Sequence, residues 1–142
     1  MSDAILKRIQ EQAAYWAQSS ARFVEKEFIE SIATLSREAI DDAPHGVIKL
    51  DDEGRIQLFS RHESEKSGVA VSEAEGKLFF SEIAPCTNNA IFMGSFQKGV
   101  SEGSMDFIFP YTFTYKMKPT PVKVHLYRKE GNKENWIFVK WS

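Results

Sequence analysis

The chain has 142 residues, of which 42% are hydrophobic and 13% aromatic, so it holds enough apolar material for one domain with a real core. Its formal net charge of −2 lacks the basic excess that is typical of nucleic-acid-binding proteins. No run of about 20 apolar residues indicates a membrane span, and the amino terminus has no signal-peptide pattern. A single cysteine excludes an internal disulfide, so we expect a cytoplasmic protein with a reduced thiol. From the charge and the lack of a long apolar run, we expect no nucleic-acid partner and no membrane partner.

The first 43 residues contain neither glycine nor proline and carry apolar side chains at helical intervals. Two stripes with steps of three and four residues run through Ile5, Ile9, Ala13, Trp16, Ser20 and Phe23, and then through Phe28, Ile32, Leu35 and Ala39. The pattern predicts one long helix or two consecutive ones, ending before Pro44, because a residue that precedes proline avoids the helical region. Such a stripe needs an apolar surface to cover, which is either the domain's own sheet or a second copy of the helix. Ile9, Trp16 and Phe23 recur every seven residues, so a homodimer formed through this helix is a further expectation.

After Pro44 the pattern changes to short apolar runs. Residues 47–50 and 55–59 flank an acidic turn that ends in Gly54, which predicts a β-hairpin. The polar stretch 60–72 indicates short helices and turns, and Phe92, Phe96 and Val100 mark a helix. Three further strands are predicted over 107–117, 122–127 and 136–141, the first with large side chains at every odd position. This order predicts an α+β fold with a single antiparallel sheet flanked by short helices.

Cys86, the single cysteine, follows Pro85 and precedes Thr87, Asn88 and Asn89, which are residue types that begin helices. We expect the thiol at or just before a helix start, where the helix dipole stabilises a thiolate. The alternative, a buried cysteine that acts only as a small hydrophobic residue, stays open at this point.

The run Phe79-Phe80-Ser81-Glu82-Ile83-Ala84-Pro85-Cys86-Thr87, followed by Phe92, Gly94, Phe96 and Gly99-Val100, resembles the chromophore-attachment segment of the photoactive yellow proteins, or xanthopsins. The likeness extends from about Gly46 to the carboxyl terminus. It implies a PAS domain over residues 44–142. The resemblance does not cover roughly the first forty residues, where the helical pattern predicts an N-terminal helical extension over residues 1–43.

The resemblance implies that Cys86 carries p-coumaric (4-hydroxycinnamic) acid as a thioester. Glu63 matches the family's glutamate, a protonated side chain that donates to the phenolate oxygen and releases its proton after light absorption. A raised pKa would be needed for that role. The resemblance carries the chromophore pocket onto Ile48, Phe79, Ile83, Ala84, Thr87, Phe113, Tyr115 and Met117.

Three positions depart from the family pattern. Phe59 stands where the family has a second phenolate donor, a tyrosine, so the phenolate pKa is expected to rise by about one or two units. Ser67 matches a hydroxyl-bearing threonine and is a substitute donor, whereas Val69 replaces an arginine that covers the pocket.

The resemblance therefore predicts a blue-light photoreceptor that signals through chromophore isomerisation and proton transfer from Glu63, to a downstream partner that the sequence does not indicate. The alternative is a PAS interaction or small-ligand-binding module without photochemistry, which Phe59 favours. A third hypothesis, a thiol-dependent enzyme, would pair Cys86 with a histidine. We do not expect an enzyme or a metal site, because His45, His62 and His125 lack metal-ligand spacing and the strand pattern around His125 favours a structural role.

Overall fold

The computed structural model describes residues 3–10, 21–114 and 118–141. Within these ranges five strands form one antiparallel sheet in the order β2-β1-β5-β4-β3. The strands are β1 (Gly46–Leu50), β2 (Ile56–Phe59), β3 (Met105–Phe113), β4 (Thr120–Arg128) and β5 (Asn135–Trp141). The predicted single antiparallel sheet is confirmed, including the β1–β2 hairpin. Pro110 lies on the edge strand β3, where its missing N–H is tolerated.

Six short α-helices accompany the sheet in the described residues. They are α1 (residues 3 to 10), α2 (Lys26–Ser31), α3 (Arg37–Asp41), α4 (Arg61–Ser67), α5 (Val71–Ala74) and α6 (Phe92–Glu102). Short 3-10 turns cover Ile32–Thr34 and Pro85–Thr87, and a π-helical turn covers Phe79–Ile83. No helix in the part of the chain that is described is long and apolar enough to cross a membrane.

The two faces of the sheet carry separate hydrophobic cores because successive side chains of a strand point to opposite sides. On β5, Ile137 and Val139 enter one core, which we call the front core, and Trp136 and Phe138 enter the other, the back core. The front core is covered by the segment between β2 and β3, and the back core by residues 23–43. Each large apolar side chain buried in this way contributes about 1.5–3 kcal/mol to folding.

The expected long N-terminal helix is not found in the described residues. Residues 21–25 are not helical, and a new helix begins after Ser36, whose side chain accepts a hydrogen bond from the Ala39 N–H at 3.1 Å. Phe28 and Ile32 pack on the back core, which needs a cover, instead of forming one helical stripe. The predicted positions Ala13, Trp16 and Ser20 lie outside the described residues, and the domain division after residue 43 stays a prediction.

Candidate functional site

Cys86 lies in the 3-10 turn Pro85–Thr87, half-buried at the rim of the front core. Its carbonyl oxygen accepts hydrogen bonds from the Tyr111 hydroxyl at 2.5 Å and from the Asn89 amide at 3.3 Å. Burial raises the pKa of Tyr111 above its usual 10.0, so its hydroxyl keeps the proton that it donates. The Thr87 hydroxyl donates to the Ala84 carbonyl at 2.6 Å, so the turn is fixed on both sides of the thiol.

We expected Cys86 at or just before the start of a helix, but α6 does not begin there. That helix begins at Phe92, and the Asn89 side-chain oxygen accepts from the Phe92 and Ile91 N–H groups at 2.9 and 3.1 Å. Asn89, three residues beyond the thiol, therefore binds the first N–H group of α6, and Cys86 lies in a separate turn.

Glu63 lies on the inward side of α4 together with Ser67, one helical turn further on. Both residues are buried, with relative exposures of 0% and 1%, whereas Glu65 and Lys66 between them are exposed. Ser60 begins α4 by accepting a hydrogen bond from the Glu63 N–H at 3.3 Å. The outer side of α4 is therefore charged and solvated, whereas Glu63 faces the interior.

The Glu63 carboxyl group lies between β1 and the end of β5. Its Oε1 atom accepts a hydrogen bond from the indole Nε1–H of Trp141 at 2.8 Å. A Cβ atom built onto Gly46 would come within 2.0 Å of the same oxygen, so the absence of a side chain at Gly46 is what admits the carboxyl group. Gly46 pairs directly with Val139 on β5, two residues before Trp141.

Most of the pocket residues that the resemblance implies meet in the front core. Phe79 and Ala84 are fully buried beside the Cys86 turn, and Phe113 contacts the Trp141 ring with 5.5 Å between ring centroids. Ile48 is also fully buried there, and Ile83 packs against the same core. Tyr115 and Met117 lie outside the described residues. The structure thus brings the described candidates onto one face of the sheet, and their binding roles stay predictions.

The three departures from the family pattern are also buried on this side of the molecule. Phe59 and Val69 are 0% and 2% exposed in the front core, so neither supplies a polar group to it. The Ser67 hydroxyl oxygen accepts a hydrogen bond from the Val69 N–H at 3.2 Å. This acceptor role leaves the hydroxyl hydrogen of Ser67 to be donated elsewhere.

Two histidines that were considered as partners for the thiol lie on the opposite side of the sheet. His125 Nε2 is 2.6 Å from Asp106 Oδ1, and its ring contacts Phe23 and Phe138 of the back core. His45 also contacts Phe138. Neither forms a hydrolytic pair with Cys86, which packs on the front core. Among the described residues no group of three His, Cys, Asp or Glu side chains is arranged to hold a metal ion.

Sequence reasoning missed Trp141, Gly46 and Asn89 as site residues. The alternation along β5 does place Trp141 on the same face as Ile137 and Val139, which is a usable signal. Nothing in the sequence around Gly46 indicates that a carboxyl group approaches it.

Comparison with solved structures identifies the fold. The chain superposes on the PAS domain of the HTR-like protein from Haloarcula marismortui with a TM-score of 0.59, over 80% of this chain and 99% of that domain. At 19% identity this likeness concerns the fold alone, and it defines a PAS domain. No model of a known protein family matches the chain.

Proteins with higher sequence identity show which family of PAS domains the chain belongs to. The photoactive yellow protein of Rhodothalassium salexigens is 39% identical over 119 residues, which are 84% of this chain and 95% of that protein. The photoactive yellow protein domain of the sensor histidine kinase Ppr from Rhodospirillum centenum is 35% identical with a TM-score of 0.73, over 78% of this chain and 97% of that domain. The chain belongs to the photoactive yellow protein family, which supports a photoreceptor PAS domain that acts in signal transduction.

Proposed function

We propose that this protein is a blue-light photoreceptor in which Cys86 carries p-coumaric acid as a thioester and Glu63 is the proton donor. The observation that carries the proposal is the burial of Glu63, which has 0% exposure on the face of the sheet that also holds Cys86. A charged carboxylate loses its hydration when it is buried, and this cost remains large even though the Trp141 N–H donates to Glu63. A protonated Glu63 avoids most of that cost and is the form that can donate.

The residues of the front core fit an aromatic acid attached to a thiol. Phe79, Phe113 and Ile48 supply apolar walls, Glu63 supplies a buried polar group, and Cys86 lies at the rim, where an incoming acid can reach it. The attached group supplies visible-light absorption and an isomerisable double bond. In attachment, the Cys86 sulfur forms a bond to the carbonyl carbon of an activated p-coumarate, the activating group leaves with its electron pair, and the thiol proton passes to solvent.

The chain's own response to light would begin at Glu63. Once it has lost its proton, its carboxylate is a buried charge, and the cost of that charge favours a rearrangement of α4. The first residue of this helix is tied to the N-terminal region: the Arg61 N–H donates to Asp41 Oδ1 at 2.9 Å, and the Arg61 guanidinium donates to Asp42 at 3.1 Å. A displacement of α4 would therefore also displace residues 37–43, which cover the back of the sheet.

Reconstitution with p-coumaric anhydride and intact-protein mass spectrometry test the attachment. We expect wild-type protein to gain one p-coumaroyl group, located on Cys86 by peptide mapping, together with a visible absorption band. Cys86→Ala has no nucleophile at this position and should gain neither.

Failure of the wild-type protein to gain the group would reject the proposal. So would an equal gain by the Cys86→Ala variant, because the acid would then be attached at another residue.

The second candidate function is a PAS interaction or small-ligand-binding module without photochemistry. Phe59 favours it, because a fully buried phenylalanine provides no hydroxyl at the position of the family's second donor. Protein isolated from a host that makes p-coumarate distinguishes the two: an unmodified Cys86 supports this module, and an acylated Cys86 supports the photoreceptor.

A further inference from the structure

We infer that Trp141 is a positioning residue for Glu63. The Trp141 indole favours one carboxyl oxygen of Glu63 as the carrier of the proton, and it stabilises the carboxylate after the proton has left. The inference rests on the proposed function and deepens it. Its direct observation is the hydrogen bond from the indole Nε1–H of Trp141 to Glu63 Oε1, 2.8 Å long and partly buried.

The sheet holds the indole ring in place. Trp141 is at the end of β5, where it pairs with Val122 of β4, and its ring packs against Phe113 of β3 with 5.5 Å between centroids. On the neighbouring strand Gly46 presents no side chain, so the Glu63 carboxyl group fits against the backbone there. The donor thus belongs to a ring packed on the sheet, which is a more rigid support than a loop.

The chemistry of indole gives the bond a direction. An indole N–H can donate but cannot accept, so the oxygen that it contacts must offer a lone pair along that bond. Both oxygens of a neutral carboxyl group have lone pairs, but the carbonyl oxygen is the stronger acceptor, so the bond favours the form in which Oε1 is the carbonyl oxygen and the proton lies on Oε2. The bond leaves one defined O–H group to serve as the proton donor.

The same bond favours release of that proton. A hydrogen bond to a carboxylate is roughly twice as strong as one to a neutral acceptor, so the contact strengthens when Glu63 ionises. Removing the indole N–H should reduce the equilibrium constant for ionisation of Glu63 by about tenfold, since a hydrogen bond to a charged group exceeds a neutral one by about 1.4 kcal/mol. A residue that only filled space would not have this effect.

The first test needs no chromophore. The chain has three tryptophans, and ¹⁵N-labelled protein should show their indole N–H signals in a heteronuclear NMR spectrum. Trp141→Phe identifies one signal by its loss. Trp136→Phe is the matched control, since Trp136 stacks on Phe138 in the back core, away from Glu63.

We expect Glu63→Leu and Glu63→Gln to shift the Trp141 signal much more than the Trp136 signal. In wild-type protein the Trp141 signal should also move with pH as Glu63 ionises, which provides a readout if a variant does not fold. An unchanged Trp141 signal in the folded variants, or in the wild-type titration if they do not fold, would overturn the inference.

The second test uses protein loaded with p-coumarate. Trp141→Phe keeps a ring against Phe113 but removes the N–H, and intact-protein mass spectrometry allows both proteins to be compared at equal chromophore loading. In light-induced infrared difference spectra, the ratio of ionised to protonated Glu63 should then be about tenfold lower in the variant than in wild type. An unchanged ratio would contradict the inference. If wild-type protein takes up no chromophore, the proposed function fails, and the NMR result alone decides whether Trp141 holds Glu63.

Discussion

At the scale of single residues, Gly46 and Glu63 depend on each other. The carboxyl group occupies the space that a side chain at position 46 would fill, with its Oε1 only 2.0 Å from a Cβ built there. Any larger residue must displace the carboxyl group or the strand, and neither can move far in a closely packed interior. The buried acid is therefore a property of two positions on different elements.

We predict that Gly46→Ala will lower the free energy of unfolding by about 1–3 kcal/mol, as other overpacking substitutions do. Urea denaturation measures the change. The matched control is Gly94→Ala in α6, where the added Cβ meets its nearest atom at an ordinary 3.8 Å and should stabilise the helix by up to about 1 kcal/mol. Equal stabilities for wild-type protein and Gly46→Ala would show that Glu63 does not occupy this space.

Phe59→Tyr restores the hydroxyl that the family has at this position. If the added group donates to the phenolate, the phenolate pKa in loaded protein should fall by about one to two units. A pH titration of the visible band measures it. Ser67→Ala should have the opposite effect if Ser67 is the substitute donor, and an unchanged titration in both variants would contradict the account of the phenolate partners.

At the scale of elements, residues 21–43 act as a cover for the back of the sheet. Phe23 contacts the rings of both His45 and His125, and Arg22 donates to Asp106 at 2.7 Å. Burial lowers the pKa of His45 below its usual 6.5, and burial lowers the pKa of His125 although Asp106 opposes the change. Both histidines are thus held neutral beneath the cover.

This arrangement predicts that the folded protein loses stability in mild acid. A histidine whose pKa is lower when folded takes up a proton more readily in the unfolded chain, so its contribution is complete above pH 6.5 and falls as the pH drops below that value. Urea unfolding of the Glu63→Gln variant, in which the proposed acid can no longer take up a proton, should show a lower free energy of unfolding at about pH 5.5 than at about pH 7.5. Adding His45→Gln should reduce this difference, and equal values at both pH values in Glu63→Gln protein would contradict the prediction.

At the scale of the whole molecule, the homodimer expected from the N-terminal pattern stays a prediction. The described helix α1 exposes Ile5, Leu6 and Ile9 by 52%, 46% and 49%. If this surface joins two copies, Ile9→Glu should convert a dimer to a monomer in sedimentation velocity experiments, whereas Ile91→Glu, which alters another exposed residue, should not. A monomeric wild-type protein would contradict it.

The strands and their faces could be predicted from the sequence because the signal is local. The alternation of Phe107, Phe109, Tyr111 and Phe113 correctly assigns these side chains to one core. The N-terminal region could not be predicted in the same way. Phe28 and Ile32 fit a helical stripe equally well, and it was the need to cover the back of the sheet that determined their contacts. Ser36 was the available sign of a helix break.

The candidate site was predictable only in part. The resemblance located Cys86 and Glu63, but the bond from Trp141 to Glu63 joins residues 78 positions apart, and no local pattern reports such a pairing. The position of Cys86 relative to α6 was also missed, because Thr87, Asn88 and Asn89 are all good helix-capping types and only the fold selects Asn89.

The central claim is that a Cys86-linked aromatic acid and the buried Glu63 together make the chain respond to light. The most direct measurement is the visible absorption of reconstituted protein before, during and after blue illumination. The account predicts a band that decreases under light and returns in the dark, with an altered recovery rate in Glu63→Gln. A protein that acquires no visible band, or one whose band is unaffected by blue light, would contradict it.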